Sequence, residues 1–346
     1  MTEDLKRYAR QTIFSGIGEA GQRKLLAARV VVAGCGATGT VVANHLARAG
    51  VGHLTVIDRD FIELNNLQRQ LLFDEQDLAD NLPKAVAAGR KLRAINSEIE
   101  VQGLVADINA ENVEALIAGA TLVMDGTDNF ETRYILNDAC LKAGIPWIYS
   151  GAVSTYGMSQ TIIPGETPCL RCVFNDAPPP GAAATCDTVG VVGPVVSAVA
   201  SISATEAIKF LVGQGELNRG IIYLDLWQNT FDRFETGSPR PDCPACGEHR
   251  YEFLNQERGA HSISLCGRNA IQIRLPGAGS LPLADLAERL QAVSHVTAAN
   301  DYLIRFQVGD NSASYEITLF ADSRAIIKGT EDESVARGLY AKYIGA

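Results

Sequence analysis

The sequence predicts an α/β protein: a doubly wound, Rossmann-like and mainly parallel sheet with an antiparallel extension and zinc knuckles, followed by a small α+β C-terminal module. Three observations predict it. A glycine-rich turn joins a buried apolar strand to a small-residue helix, strand and helix patterns alternate up to about residue 150, and two Cys-x-x-Cys pairs stand far apart in the chain. Alternating strands and helices favour a parallel sheet because each crossover helix needs a face to cover.

In chain order, Gly21 to Leu26 reads as the end of a helix and Arg29 to Ala33 as a buried strand. The strand runs into Gly34-Cys35-Gly36-Ala37-Thr38-Gly39, and a helix through Val41, Val42, Leu46 and Ala47 follows. Gly52 to Asp58 is then a second strand ending on an acid, which completes a βαβ unit. Further strands are expected at Glu98 to Leu104, Thr121 to Asp125 and Trp147 to Ser150, with helices at Pro83 to Ile95, Asn109 to Ala118 and Asn129 to Ala143. After Gly151 the pattern changes. Ser159 to Ile163 and Gly220 to Asp225 read as antiparallel strands and Pro194 to Val212 as an apolar helix. Between them, residues 176–184 are Pro/Ala-rich and read as a lid or crossover loop.

From about Ser262 the composition resets. Strands are expected at Ile263 to Leu265 and Ile271 to Leu275, a helix at Pro282 to Val293, three strands between Tyr302 and Lys328, and a last helix at Glu333 to Tyr343. The expected domains are therefore 1–254 and 262–346. A chain of 346 residues with 47% apolar content accommodates this division, since single cores stop growing near about 250–300 residues.

A net charge of −10 argues against general nucleic-acid binding, which needs a basic stripe to displace phosphate counterions. The N-terminus MTEDLKRYARQ is charged where a signal peptide would be apolar, and no uncharged apolar run reaches about 18 residues. A cytoplasmic chain with no membrane partner is the expectation.

The glycine turn suits a phosphate at a helix N-terminus: Gly34, Gly36 and Gly39 permit the turn, the backbone approach and the helix packing, and Asp58 can accept from ribose hydroxyls. This much fits NAD, FAD and ATP equally. The cluster Asn65 to Gln70, with Asn66 and Arg69, and then Lys84 at a helix start favour ATP, because splitting it at the α-phosphate requires neutralising the pyrophosphate. A solvated charged face is the structural alternative. Asp125 to Asn129 lies at the C-terminal edge of the sheet, where Asp128 could hold Mg²⁺ on the triphosphate or cap the following helix.

Cys169 and Cys172, with Cys243 and Cys246, form two knuckles separated by 70 residues, a set of four thiolates suited to closed tetrahedral Zn²⁺. Redox dithiols are the competing reading. Cys35 and Cys140 read as packing residues. Cys186, after the Pro/Ala loop, is expected to be accessible and able to take an activated acyl group, or else to be an inert loop thiol. Cys266 has no assignable role.

Together with Arg7 to Gln11, Pro83-Lys84 and Ala204 to Lys209, these residues resemble the MoeB/ThiF family, relatives of the ubiquitin-activating enzymes, over roughly Leu5 to Tyr251. The turn departs at Ala37 and Thr38, where that family usually has Gly-Leu, but keeps all three glycines. The C-terminal module is a larger departure, since some relatives carry a rhodanese domain there and this segment lacks the Cys-centred loop of one.

The resemblance implies an adenylyltransferase that uses ATP and Mg²⁺ on the C-terminal glycine of a ubiquitin-like sulfur-carrier protein ending in Gly-Gly, as a homodimer, with a cysteine desulfurase or rhodanese as sulfur donor. It places Asp58 on the ribose, Asn66, Arg69 and Lys84 on the phosphates, Asp128 on magnesium and Arg10 in the other subunit's site. Cys186 falls at the acceptor position of the thioester-forming members, whereas MoeB-like members act without a thioester, so the resemblance leaves its role open. An ionised carboxylate needs no general base to attack a phosphate, and the five scattered histidines form no triad. Competing expectations are a peptide-modifying adenylyltransferase, an NAD-dependent oxidoreductase and a nucleotide-sensing module.

Overall fold

The computed structural model describes residues 3–175, 185–255, 261–265, 269–274, 281–309 and 314–344. The chain divides into two compact units, Met1–Gln256 and Glu257–Ala346.

The first unit is built on eight strands: β1 (Arg29–Ala33), β2 (His53–Asp58), β3 (Glu100–Val105), β4 (Leu122–Asp125), β5 (Trp147–Val153), β6 (Tyr156–Ile162), β7 (Ile221–Asp225) and β8 (Thr230–Phe234). They lie in the order β3-β2-β1-β4-β5-β6-β7-β8. The first five are parallel and the rest antiparallel. Strand order reverses between β1 and β4, the place where a doubly wound sheet opens a crevice at its carboxyl edge. Register sets that edge: Ala33 pairs with Ile57 on one side and Asp125 on the other, so the turns after β1, β2 and β4 start at one level.

One face of the sheet is covered by the helices Ala37–Ala49, Lys84–Ile95 and Gly193–Val212, with Val42, Leu46, Leu92 and Ala207 in a shared core. Each such fully buried large aliphatic contributes about 1.5–3 kcal/mol. The other face packs on Val113–Ile117 and Phe130–Ala143 through Val113, Ile117, Tyr134 and Leu136. The helices Ala37–Ala49, Phe130–Ala143 and Gly193–Val212 each stop at a left-handed glycine, Gly50, Gly144 and Gly213, the conformation that releases a chain from a helix without a Cβ penalty. Gly193–Val212 is apolar enough by composition to cross a membrane. Its Val195, Val196, Val199, Ala200 and Ala204 are buried, and it packs on β5 and β6.

The helix expected over Asn109 to Ala118 is confined to Val113–Ile117. Asn109 accepts from the Glu111 N–H at 2.9 Å and Asn112 accepts from the Asn109 N–H at 3.0 Å, so both amides compete with helical hydrogen bonds. Strand β8 was not expected: all five residues are exposed, and hydrogen bonding to β7 rather than burial holds it.

The second unit is an antiparallel sheet of β9 (His261–Leu265), β10 (Ala270–Arg274), β11 (His295–Ala299), β12 (Leu303–Gly309), β13 (Ser314–Phe320) and β14 (Ala325–Lys328), ordered β11-β12-β13-β14-β10-β9. The helices Leu283–Gln291 and Glu333–Tyr343 insert Leu286, Leu290, Ala336 and Tyr340 among Ile271, Ile304, Phe306 and Leu319. The α+β pattern is as expected from the sequence, with β11 added at an edge. Residues 176–184 and Cys266 lie outside the described residues.

Candidate active site

The glycine turn follows β1. Gly34 has a φ of +92°, and a Cβ there would meet the Gly126 carbonyl oxygen at 2.6 Å. A Cβ on Gly39 would meet the Gly34 carbonyl oxygen at 2.0 Å. These two glycines are therefore required by the fold itself. Gly36 differs, since a Cβ there would come no nearer than 3.7 Å to its neighbours. Gly36 starts the helix Ala37–Ala49, and no side chain caps that helix, so its first N–H groups stand ready for an anion.

Asp58, at the end of β2, accepts from the Cys35 N–H at 2.6 Å and the Asp60 N–H at 2.7 Å. Burial pushes its carboxyl up and the Lys84 ammonium opposes that shift. Lys84 opens its helix, is almost fully buried, and donates to Asp60 at 3.3 Å, while its backbone N–H donates to the Asp60 carbonyl at 2.9 Å. On the other side of Asp60 stands Arg59, which pairs with Asp107 beyond the end of β3 at 2.9 Å. Burial alone would lower the Arg59 pKa, but Asp107, Asp60 and Asp128 outweigh it and raise it.

Asp125 ends β4 and is fully buried, accepting from Thr127 N and Oγ1 at 2.9 and 2.7 Å and from Arg133 Nε at 3.1 Å. Arg133 also donates to the Thr127 carbonyl at 2.7 Å and lies over the Tyr149 ring. This knot shapes the turn that leaves Asp128 exposed at the sheet edge. The capping alternative for Asp128 is corrected: Asn129 is the N-cap, accepting from the Thr132 N–H at 2.9 Å.

Asn66 is buried and closes a capping box with Glu63, and Arg69 folds back onto the Asn65 carbonyl at 2.7 Å. Both make their contacts locally. The stretch around Gln68 abuts the start of Gly193–Val212, where a Cβ on Gly193 would come 3.0 Å from the Gln68 carbonyl oxygen. Arg10 is exposed on Ala9–Thr12, and its neighbour Gln11 donates to the Ala49 carbonyl at 2.9 Å. That carbonyl lies at the far end of Ala37–Ala49 from the glycine turn, about 18 Å away for a helix of 13 residues.

Cys186 is half-buried in the short helix Cys186–Val189, with its Sγ 3.5 Å from the Ala152 carbonyl oxygen near the end of β5. The Ser154 N–H donates to the Gly190 carbonyl and the Val192 N–H to the Ser154 carbonyl, both at 2.9 Å, so this stretch is docked on the β5–β6 tip. Cys35 and Cys140 are fully buried, as expected of packing residues.

The four knuckle cysteines converge from both ends of the 70-residue interval. All four Sγ atoms lie within 4.8 Å of one another, with Cys169 3.6 Å from Cys243 and Cys172 3.3 Å from Cys246. These distances are too long for disulfides of about 2.05 Å. They suit a tetrahedron of about 2.3 Å metal–sulfur bonds, which sets sulfurs about 3.8 Å apart.

A profile of the ThiF family matches residues 8–245, a span that includes every one of these groups except Cys246. The chain belongs to the ThiF family. Among its relatives, the sulfur carrier protein ThiS adenylyltransferase of Bacillus subtilis is 45% identical over 340 residues, covering 98% of this chain and 99% of that protein. The SAMP-activating enzyme E1 of Haloferax volcanii is 40% identical over 245 residues, 70% of this chain and 89% of that one. Among solved structures, E. coli MccB with AMPCPP and MccA matches with a TM-score of 0.61 at 28% identity, covering 71% of this chain and 75% of that one.

In this ThiF-family chain two site residues are not evident from sequence alone. Arg133 lies one helical turn after the Asn129 cap, and its spacing from Asp125 was the available signal. Arg59 stands next to Asp58, but its partner Asp107 is 48 residues away and only the pairing of β2 with β3 brings them together.

Proposed function

We propose that this adenylyltransferase uses ATP to activate the C-terminal glycine carboxylate of a ubiquitin-like sulfur-carrier protein ending in Gly-Gly. The observation that carries this reading is the convergence of the glycine turn, Asp58, Lys84 and Asp128 on one sheet edge. The chain's 45%-identical relative over nearly its whole length is named for adenylating such a carrier. A carrier carboxylate oxygen attacks the α-phosphorus, the bond to the bridging oxygen of the β-phosphate breaks, and pyrophosphate leaves, giving an acyl adenylate for sulfur attack and thiocarboxylate formation. The chain's part is alignment and charge: Asp58 holds the ribose, and Lys84, Asn66 and Arg69 take the phosphates.

Asp128 would hold Mg²⁺, which needs one or two carboxylates beside phosphate oxygens and supplies neutralisation of the leaving charge. The four cysteines would hold a structural Zn²⁺. A cytoplasmic homodimer is part of the reading. Gln11, next to Arg10, bonds the end of Ala37–Ala49 away from the glycine turn, which supports action of Arg10 across a dimer. Cys186 is the proposed acyl acceptor, and a cysteine desulfurase or rhodanese the proposed sulfur donor. ATP–pyrophosphate exchange measured with each small Gly-Gly-ending protein from the same organism tests this, and the expected result is exchange that depends on one such carrier. No exchange with any of them would overturn it. Adenylation of another peptide carboxylate is the second reading, favoured by the likeness to MccB with AMPCPP and MccA, but at 28% identity against 45%.

A further inference from the structure

If the chain adenylates a carrier, Lys84 must reach a phosphate, and its surroundings make that difficult. Its ammonium is almost fully buried and already committed to Asp60, 3.3 Å away. To reach a phosphate it must loosen that pair, and a carboxylate stranded in a site this buried is strongly unfavourable. Asp60 has a second cation beside it. Lys84 Nζ approaches Asp60 Oδ2, whereas Arg59 Nε lies 3.9 Å from the other oxygen, Oδ1. Arg59 is kept in place by Asp107 at 2.9 Å, a bond that bridges the ends of β2 and β3.

We propose that Arg59 is a positioning residue for nucleotide binding, sharing Asp60 with Lys84 so that the Lys84 ammonium can leave that carboxylate for the phosphates. This role rests on the adenylation reading. Asp128 also helps to raise the Arg59 pKa, so the same guanidinium interacts with the residue proposed for the metal and with the counter-ion of Lys84. The simpler alternative is that Arg59 and Asp107 only staple β2 to β3. The two differ in which second mutation repairs the first.

The test is Mg-ATP affinity by titration calorimetry on the full chain, with thermal melting run on every variant. Arg59→Met should weaken Mg-ATP binding by about tenfold, the scale of a close charge coupling. Arg59→Lys should retain part of the affinity. Asp60→Asn in the Arg59→Met background should recover most of the loss, because a neutral amide attracts the Lys84 ammonium far less than the carboxylate does. Asp60→Ser serves in its place if that variant fails to fold. Asp107→Asn should bind Mg-ATP as tightly as wild type or tighter, since the amide oxygen can still accept from Arg59 and keep it in place while a carboxylate that competes with Asp60 for its charge is removed. Wild-type affinity in Arg59→Met, or a loss that Asp60→Asn does not rescue and Asp107→Asn reproduces, would overturn the proposal while leaving the adenylation reading intact. A wild-type chain that binds no Mg-ATP would remove both.

Discussion

The cysteine cluster and the nucleotide edge are two sites built on opposite principles. Four identical thiols close around one point, and their chemistry follows from residue type alone. At the sheet edge Asp58, Asp60, Asp107 and Asp128 stand among Lys84 and Arg59, and what each can do depends on which partner holds it. As the proposed zinc staple, the first site should tolerate no change of ligand. The second is an equilibrium among charges, and a single substitution there redistributes the others.

The largest expected effect belongs to the staple. Metal analysis should find about one zinc per chain, and chelation or Cys246→Ser should lower the unfolding free energy by roughly 3–5 kcal/mol in denaturant titrations. An unchanged midpoint after complete metal removal would make the cluster dispensable. Next is Asp128→Ala, which should cut pyrophosphate exchange by about 10²- to 10³-fold with an unchanged melting temperature. Full exchange would take Asp128 out of the site.

The glycine turn contains the same contrast in miniature. Gly39→Ala drives a methyl into the Gly34 carbonyl and should cost about 1–3 kcal/mol of stability. Gly36→Ala has room in the fold, so it should change stability by less than about 1 kcal/mol while weakening ATP binding. Equal destabilisation by the two would mean that Gly36 also serves packing rather than ligand approach.

A pH dependence is expected behind the cysteine cluster. Asp138 is buried, accepts from the Phe253 N–H at 3.0 Å, and has its pKa pushed up to about 6, chiefly by burial. A raised carboxyl means that between its ordinary range and about pH 6 the folded chain holds a proton that the unfolded chain releases. This group therefore opposes folding above about pH 6, and the penalty fades as pH falls toward 4. Asp138→Asn should accordingly be more stable relative to wild type at pH 7 than at pH 4, by on the order of 1–2 kcal/mol. A difference independent of pH would show that Asp138 titrates normally.

Much of this was legible in the sequence where a short stretch of backbone sets the demand. Gly34 and Gly39 are required by a turn six residues long, Asp58 ends its strand, and each Cys-x-x-Cys pair is a local knuckle. Where side chains compete with the backbone, helical periodicity overran the helix, as at Asn109 and Asn112. Where two adjacent residues could do one job, local pattern could not choose, and Asn129 rather than Asp128 caps its helix.

By itself the sequence determined the kinds of group available and their order: the glycine turn, the acid after it, the basic cluster, the four thiols and two units of different composition. Only the tertiary structure decided which groups meet. It joined the two knuckles across 70 residues, set Arg59 against Asp107, gave Lys84 and Arg59 opposite oxygens of one carboxylate, and buried Asp138 until its titration moved. The reason is physical. Residue identity fixes a charge or a ligand atom, but the energy of a charge pair depends on separation and burial, and both are products of strand order and register.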